Sequence, residues 1–189
     1  MAEILLFHHA QGQTEGFLAF ADELRAAGHV VHAPDLYDGN TFTDLEEGVG
    51  YAKEVGFGTI QERGRLAADG LPNELVYAGF SLGALPAQLL AQTRPGAKGA
   101  LLFSAAFPAS EFGDSWPGVP LQILMMEDDE WAEEDLPAAR ELVETNEGAE
   151  LFLYAGDRHL FADNSLTDYD ESAATTLKQR VLAFLDDVE

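Results

Sequence analysis

The chain of 189 residues contains no cysteine. That excludes disulfides, thiolate-held metals and a cysteine nucleophile, and it is compatible with a reducing cytoplasm, the expected location. Positive charge is scarce: 10 lysines and arginines face 34 acidic residues, for a net charge of −24. The lysines are Lys53, Lys98 and Lys178. So acidic a chain repels phosphate backbones and anionic lipid headgroups, so neither nucleic acid nor a membrane is an expected partner. It suits a high-salt or acid-tolerant host, where screening relieves self-repulsion. No run of 18 apolar residues occurs, so no transmembrane helix is expected. Residues 1–7 have no basic n-region and read as a first strand, not a signal peptide. Repeats, low-complexity tracts and linkers are also missing. The composition, 47% hydrophobic, supports one core, and a single domain over 1–189 is expected. Nothing fixes the oligomeric state beyond a monomer or homodimer.

What the chain does have is an alternation of short apolar runs with longer helical patterns. Strands are expected at 3–7, 30–33, 75–79, 99–103, 121–126 and 150–154. Most are continuous Val/Leu/Ile/Phe runs, the pattern of strands covered on both faces in a mostly parallel sheet. Helices are expected at 15–27, 44–55, 58–69, 83–93, 136–146, with Asp135 as N-cap, and 171–188. Two loops, 37–43 and 104–120, follow strand ends, where ligands bind in open α/β sheets. They are candidate pocket walls, the second carrying Phe107, Phe112 and Trp116.

Gly79-Phe80-Ser81-Leu82-Gly83 joins an expected strand to an expected helix. A serine between small residues at such a junction is the pattern of a nucleophile elbow, whose tight turn pushes the hydroxyl out above the sheet. Alone the pattern is weak; its strand-to-helix setting strengthens it. A serine hydroxyl needs a positioned base. Among His8, His9, His29, His32 and His159, only His159 lies between the last strand and the last helix. The acid that orients the base is expected after the strand at 121–126. There Glu127, Asp128, Asp129 and Glu130 all qualify on spacing, followed by Trp131. The oxyanion hole needs two donors: the Leu82 N–H, and the Ala10 or Gln11 N–H from the loop after the first strand. Adjacent His8 and His9 would point to opposite faces and lack a third ligand at metal spacing, so no metal and no cofactor is expected.

These elements resemble the dienelactone hydrolase family of α/β-hydrolases along nearly the whole chain. The resemblance rests on Phe7-His8-His9-Ala10-Gln11-Gly12, on Ala33-Pro34-Asp35-Leu36-Tyr37 and on the elbow. It continues through Val119-Pro120 leading into Glu127-Asp128-Asp129, and ends at Tyr154-Ala155-Gly156 with His159-Leu160-Phe161. It implies an α/β-hydrolase fold without a large cap domain, with Ser81 as nucleophile, Asp129 as acid (Asp128 the runner-up) and His159 as base. The chain also departs from the family pattern. Ser81 replaces the founding members' cysteine, and His9 stands where they carry a glutamate. Asp163 stands where an arginine binds the substrate carboxylate. The expected reaction is therefore hydrolysis of a small ester, lactone or thioester other than an anionic dienelactone. His9, Tyr37, Phe80, Trp116 and Trp131 are the expected pocket residues. A ligand-binding scaffold without efficient turnover, or acyl transfer to an acceptor other than water, fits the same residues.

Overall fold

Residues 1–188 are described by the structure, a computed structural model. Six strands, β1 (Glu3–Phe7), β2 (Val30–His32), β3 (Val76–Phe80), β4 (Gly99–Phe103), β5 (Leu121–Met126) and β6 (Ala149–Tyr154), form one sheet. They pair in the order β2-β1-β3-β4-β5-β6, every neighbour parallel. Parallel neighbours need crossovers, and the helical segments supply them: α1 (Glu15–Ala26), α2 (Leu45–Val55), α3 (Phe57–Ala67), α4 (Ala84–Thr93), α5 (Leu136–Thr145) and α6 (Glu171–Asp187).

Side chains alternate across a strand, so two apolar faces need two covering layers. Ile4, Leu6, Val76, Ala78 and Leu101 pack with Phe17, Phe20 and Leu24 of α1 and Leu177, Val181 and Leu185 of α6. Their neighbours Leu5, Phe7, Tyr77, Ala100 and Leu102 pack on the other face with Ala52, Ile60, Ala87, Leu90 and Leu142 of α2 to α5. This is the α/β-hydrolase arrangement.

Boundaries moved by a residue or two, for local reasons. β3 runs on to Phe80, which pairs with Phe103. β2 stops at His32, just before the Ala33-Pro34 step, where the ring of Pro34 restricts its neighbour and offers no N–H. Thr14, Asp44 and Asp170 cap α1, α2 and α6 through their side chains. Asp135 does not cap α5 as expected: its backbone is already helical, and its carboxyl makes no capping bond. No helix among the described residues is long and apolar enough to cross a membrane.

The chain leaves β1 toward β2, and after β3 it proceeds the other way. The loops after β1 and β3 therefore diverge, opening a crevice at the carboxyl edge of the sheet between them. Ser81 sits at that edge.

Candidate active site

Ser81 follows β3 in a single 3-10 turn, Ser81–Gly83, that leads into α4. Its φ is +50°, a left-handed backbone rare for a residue with a side chain. The surroundings impose it. A Cβ on Gly79 would lie 2.0 Å from the Gly83 carbonyl oxygen, and one on Gly83 would lie 2.4 Å from that of Phe7. Both glycines of the motif are thus fixed by contact with backbone.

His159 lies in the loop after β6 and is buried. Its Nδ1 stands 2.7 Å from Asp129 Oδ2, and its Nε2 stands 2.6 Å from Ser81 Oγ. A carboxylate only accepts, so Nδ1 carries the proton, Nε2 presents its lone pair and the Ser81 hydroxyl donates. Asp129 is the only buried carboxylate of residues 127–130. Its Oδ1 accepts the Trp131 N–H at 3.0 Å, which fixes the carboxyl plane. Asp128, the runner-up, is exposed. His159 is held from behind as well, since Ser104 Oγ donates to its carbonyl at 2.6 Å. Nothing in the sequence marked Ser104 beyond its place after β4.

The second oxyanion donor was open between two amides. The Gln11 N–H donates to His9 Nδ1 at 3.2 Å, whereas the Ala10 N–H donates to no group among the described residues. Ala10, Ser81 and Leu82 line one cavity of about 330 Å³.

The expected pocket residues fare unevenly. Trp131 does line this cavity, with its ring 6.2 Å from the His159 ring. The other four do not. Tyr37 is fully buried in the core. Phe80 stacks on Phe103 at 4.3 Å beneath the sheet edge. Trp116 is buried, with its indole N–H donating to the Val119 carbonyl at 2.7 Å. His9 faces Asp163, whose Oδ2 lies 2.7 Å from its Nε2. Burying a ring gains more than leaving it at a pocket wall, so these aromatic side chains went inward.

Of the two candidate walls, loop 104–120 supplies Ala105, Phe107 and Glu111, while loop 37–43 supplies none. The remaining wall comes from Val49, Ala52, Phe57, Leu85 and Asp135, which sequence reasoning missed. A second cavity, about 300 Å³, lies behind the acid loop and includes neither Ser81 nor His159. No group of three or more His, Cys, Asp or Glu side chains placed to hold a metal ion occurs among the described residues.

Two acids near the site have shifted titrations. Burial pushes Asp135 up to about 6, against the pull of the Ala106 amide and His159. Burial would also raise Asp163, but hydrogen bonds from His9, Ser165 and Thr14 outweigh it and hold that carboxyl below its ordinary value.

Comparison with known proteins agrees with the fold. The family model described as "Dienelactone hydrolase family" matches residues 2–189. A dienelactone hydrolase-like promiscuous phosphotriesterase from metagenomic libraries superposes with a TM-score of 0.80 at 16% identity, covering 100% of this chain and 87% of that one. Alpha/beta hydrolase domain-containing protein 10 from mouse gives 0.74 at 13% identity, covering 99% and 90%. Among curated proteins, the pimeloyl-[acyl-carrier protein] methyl ester esterase of Cronobacter sakazakii is 35% identical over 77 residues. That is 40% of this chain but 30% of the relative. The chain therefore matches less than a third of that relative's length.

Proposed function

The chain belongs to the dienelactone hydrolase family, and from that premise we propose that it is a serine hydrolase cleaving a small carboxylic ester, lactone or thioester. One observation carries the reading: Ser81, His159 and Asp129 form an unbroken hydrogen-bonded line of 2.6 and 2.7 Å that opens on a cavity. Ser81 Oγ attacks the substrate carbonyl carbon as its proton passes to His159 Nε2. The carbonyl oxygen becomes an oxyanion facing the Leu82 and Ala10 N–H groups. His159 then protonates the leaving alcohol or thiol as its bond to carbon breaks, leaving an acyl-Ser81 ester. Water repeats the sequence, giving its proton to His159, and releases the acid and the free Ser81 hydroxyl. Asp129 holds the imidazole tautomer and stabilises its charged form. No step requires a metal or cofactor.

The family match and the curated esterase support ester chemistry. A scaffold that binds without turnover leaves Ser81 and His159 unengaged, and the 2.6 Å contact argues against it. Labelling with a fluorophosphonate, alongside turnover of short-chain esters, tests the proposal. The wild type is expected to label at Ser81 and turn over, and Ser81→Ala to do neither. A folded, stoichiometrically unlabelled wild type with no esterase activity would sink it. Added alcohols distinguish acyl transfer, which yields a new ester, from hydrolysis.

A further inference from the structure

The cavity at Ser81 is unusual in what it holds besides apolar side chains. Val49, Phe57, Leu82, Leu85, Phe107 and Trp131 give the wall its large apolar side chains. The only charged side chains lining it are Asp135, half-buried, and Glu111, exposed at the rim; no lysine or arginine lines it among the described residues. Asp163, at the position where the family resemblance places a substrate-binding arginine, is turned away and held by His9, Thr14 and Ser165. Phe57 and Trp131, both substantially exposed, present aromatic surface to an entering group.

We propose that this cavity selects esters of uncharged, predominantly apolar acids, and that Asp135 is the residue that rejects an anionic acyl chain. The inference rests on the serine-hydrolase reading and names its substrate class. A carboxylate entering beside Ser81 gives up its water without meeting any cation to replace it. It would also face the Asp135 carboxylate across a cavity with apolar walls, where like charges repel more strongly than in bulk water. An apolar chain only exchanges water for Leu, Val and aromatic surface, which favours binding. Asp135, held up by burial, ionises near pH 6, so the rejection grows as pH rises through that value. The groups acting on it are the Ala106 amide, His159, Glu134 and Asp129, and Glu111 lines the same cavity.

The test uses three phenyl esters of equal chain length: pentanoate, the glutarate monoester, and the glutaramate, whose terminal amide is polar but uncharged. Phenol release gives kcat/KM for each. Because the leaving group is shared, ratios between substrates remove the titration of His159. At pH 7.5 the glutarate monoester is expected to lag the glutaramate by on the order of tenfold or more. Its ratio to the glutaramate should fall as pH rises from about 5.5 to 7.5, a window in which its own carboxylate is already ionised. In Asp135→Asn that ratio should rise and lose most of its pH dependence. Equal kcat/KM for glutarate monoester and glutaramate in the wild type would overturn the proposal. So would a ratio unchanged in folded Asp135→Asn. If no ester is cleaved in a Ser81-dependent way, the serine-hydrolase reading fails instead. If the esters are cleaved through Ser81 without discrimination, only this inference fails.

Discussion

His9 Nε2 and Asp163 Oδ2 lie 2.7 Å apart, although 154 residues separate them in sequence. These are two of the positions at which the chain departs from the resemblance described above, and they answer each other. His9 Nδ1 accepts the Gln11 N–H, so its Nε2 carries the proton and donates it to Asp163. Thr14 and Ser165 also donate to Asp163. The pair ties the loop carrying Ala10 to the loop carrying His159, and it does so beside the cavity, not within it.

Asp163→Asn is expected to loosen that tie. Each carboxylate oxygen accepts two bonds, Oδ2 from His9 and Thr14 and Oδ1 from the Ser165 amide and hydroxyl; asparagine puts an NH2 donor against one of these pairs, at a cost of about 1–3 kcal/mol at neutral pH. The folded-state pKa is lowered, so the carboxylate's contribution is complete above its unfolded value and is lost as pH falls through the folded value. Denaturant melts between pH 7 and 3 should show the variant weaker at pH 7 but less sensitive to acid below pH ~4. Equal acid sensitivity in both proteins would contradict this assignment.

His8 predicts a second acid-labile step. It is fully buried, donating from Nδ1 to the His9 carbonyl at 2.8 Å and accepting the Leu36 N–H at Nε2. Burial pulls it down to about 4, with the His9 carbonyl and Asp35 acting in the opposite sense and the His9 ring in the same one. The unfolded chain takes a proton near pH 6.5 and the folded chain does not. Stability is therefore full above about 6.5 and falls, by ~3 kcal/mol in all, on the way down to about 4. His8→Gln should flatten stability against pH in that window, whatever it does to stability at pH 8.

Asp129→Asn removes the group that fixes the imidazole tautomer, and kcat should fall by about 10⁴. Asp128→Asn, at an exposed site, should leave kcat within about twofold. Steady-state kinetics on one short-chain ester decides between the two carboxylates.

Gly83→Ala places a Cβ 2.4 Å from the Phe7 carbonyl oxygen and 2.7 Å from that of His8, both backbone atoms. The elbow should open, with at least a ~100-fold loss of kcat, because small misplacements at reacting groups carry large rate effects. If the alanine variant keeps wild-type kcat, the contact is not what sets the elbow.

Much of this protein is legible in its linear order. Continuous apolar runs of five or six residues allow little besides strands buried on both faces, and the longer segments between them force parallel crossovers. The elbow, an acidic loop after β5 and His159 after β6 follow in the chain order Ser, Asp, His. Spacing alone left four carboxylates and two amides as candidates. The family resemblance favoured Asp129, but burial, which depends on how the loop folds, is what separates it from its neighbours. Ala10 is distinguished from Gln11 only because a histidine ring folds back onto the second amide. The pocket was least legible. Tyr37, Phe80 and Trp116 looked like walls because they are aromatic and near strand ends, yet each packs inward. The cavity beside Ser81 is walled by loop 104–120 and Trp131 together with residues of α2, α3 and α4 and Asp135 before α5, segments far apart in sequence. Local pattern sets which segments are strands and helices, because backbone preference and periodicity act over a few residues. Which side chain faces a cavity, and whether it meets a partner there, depends on contacts between distant segments, so only the tertiary structure decided it.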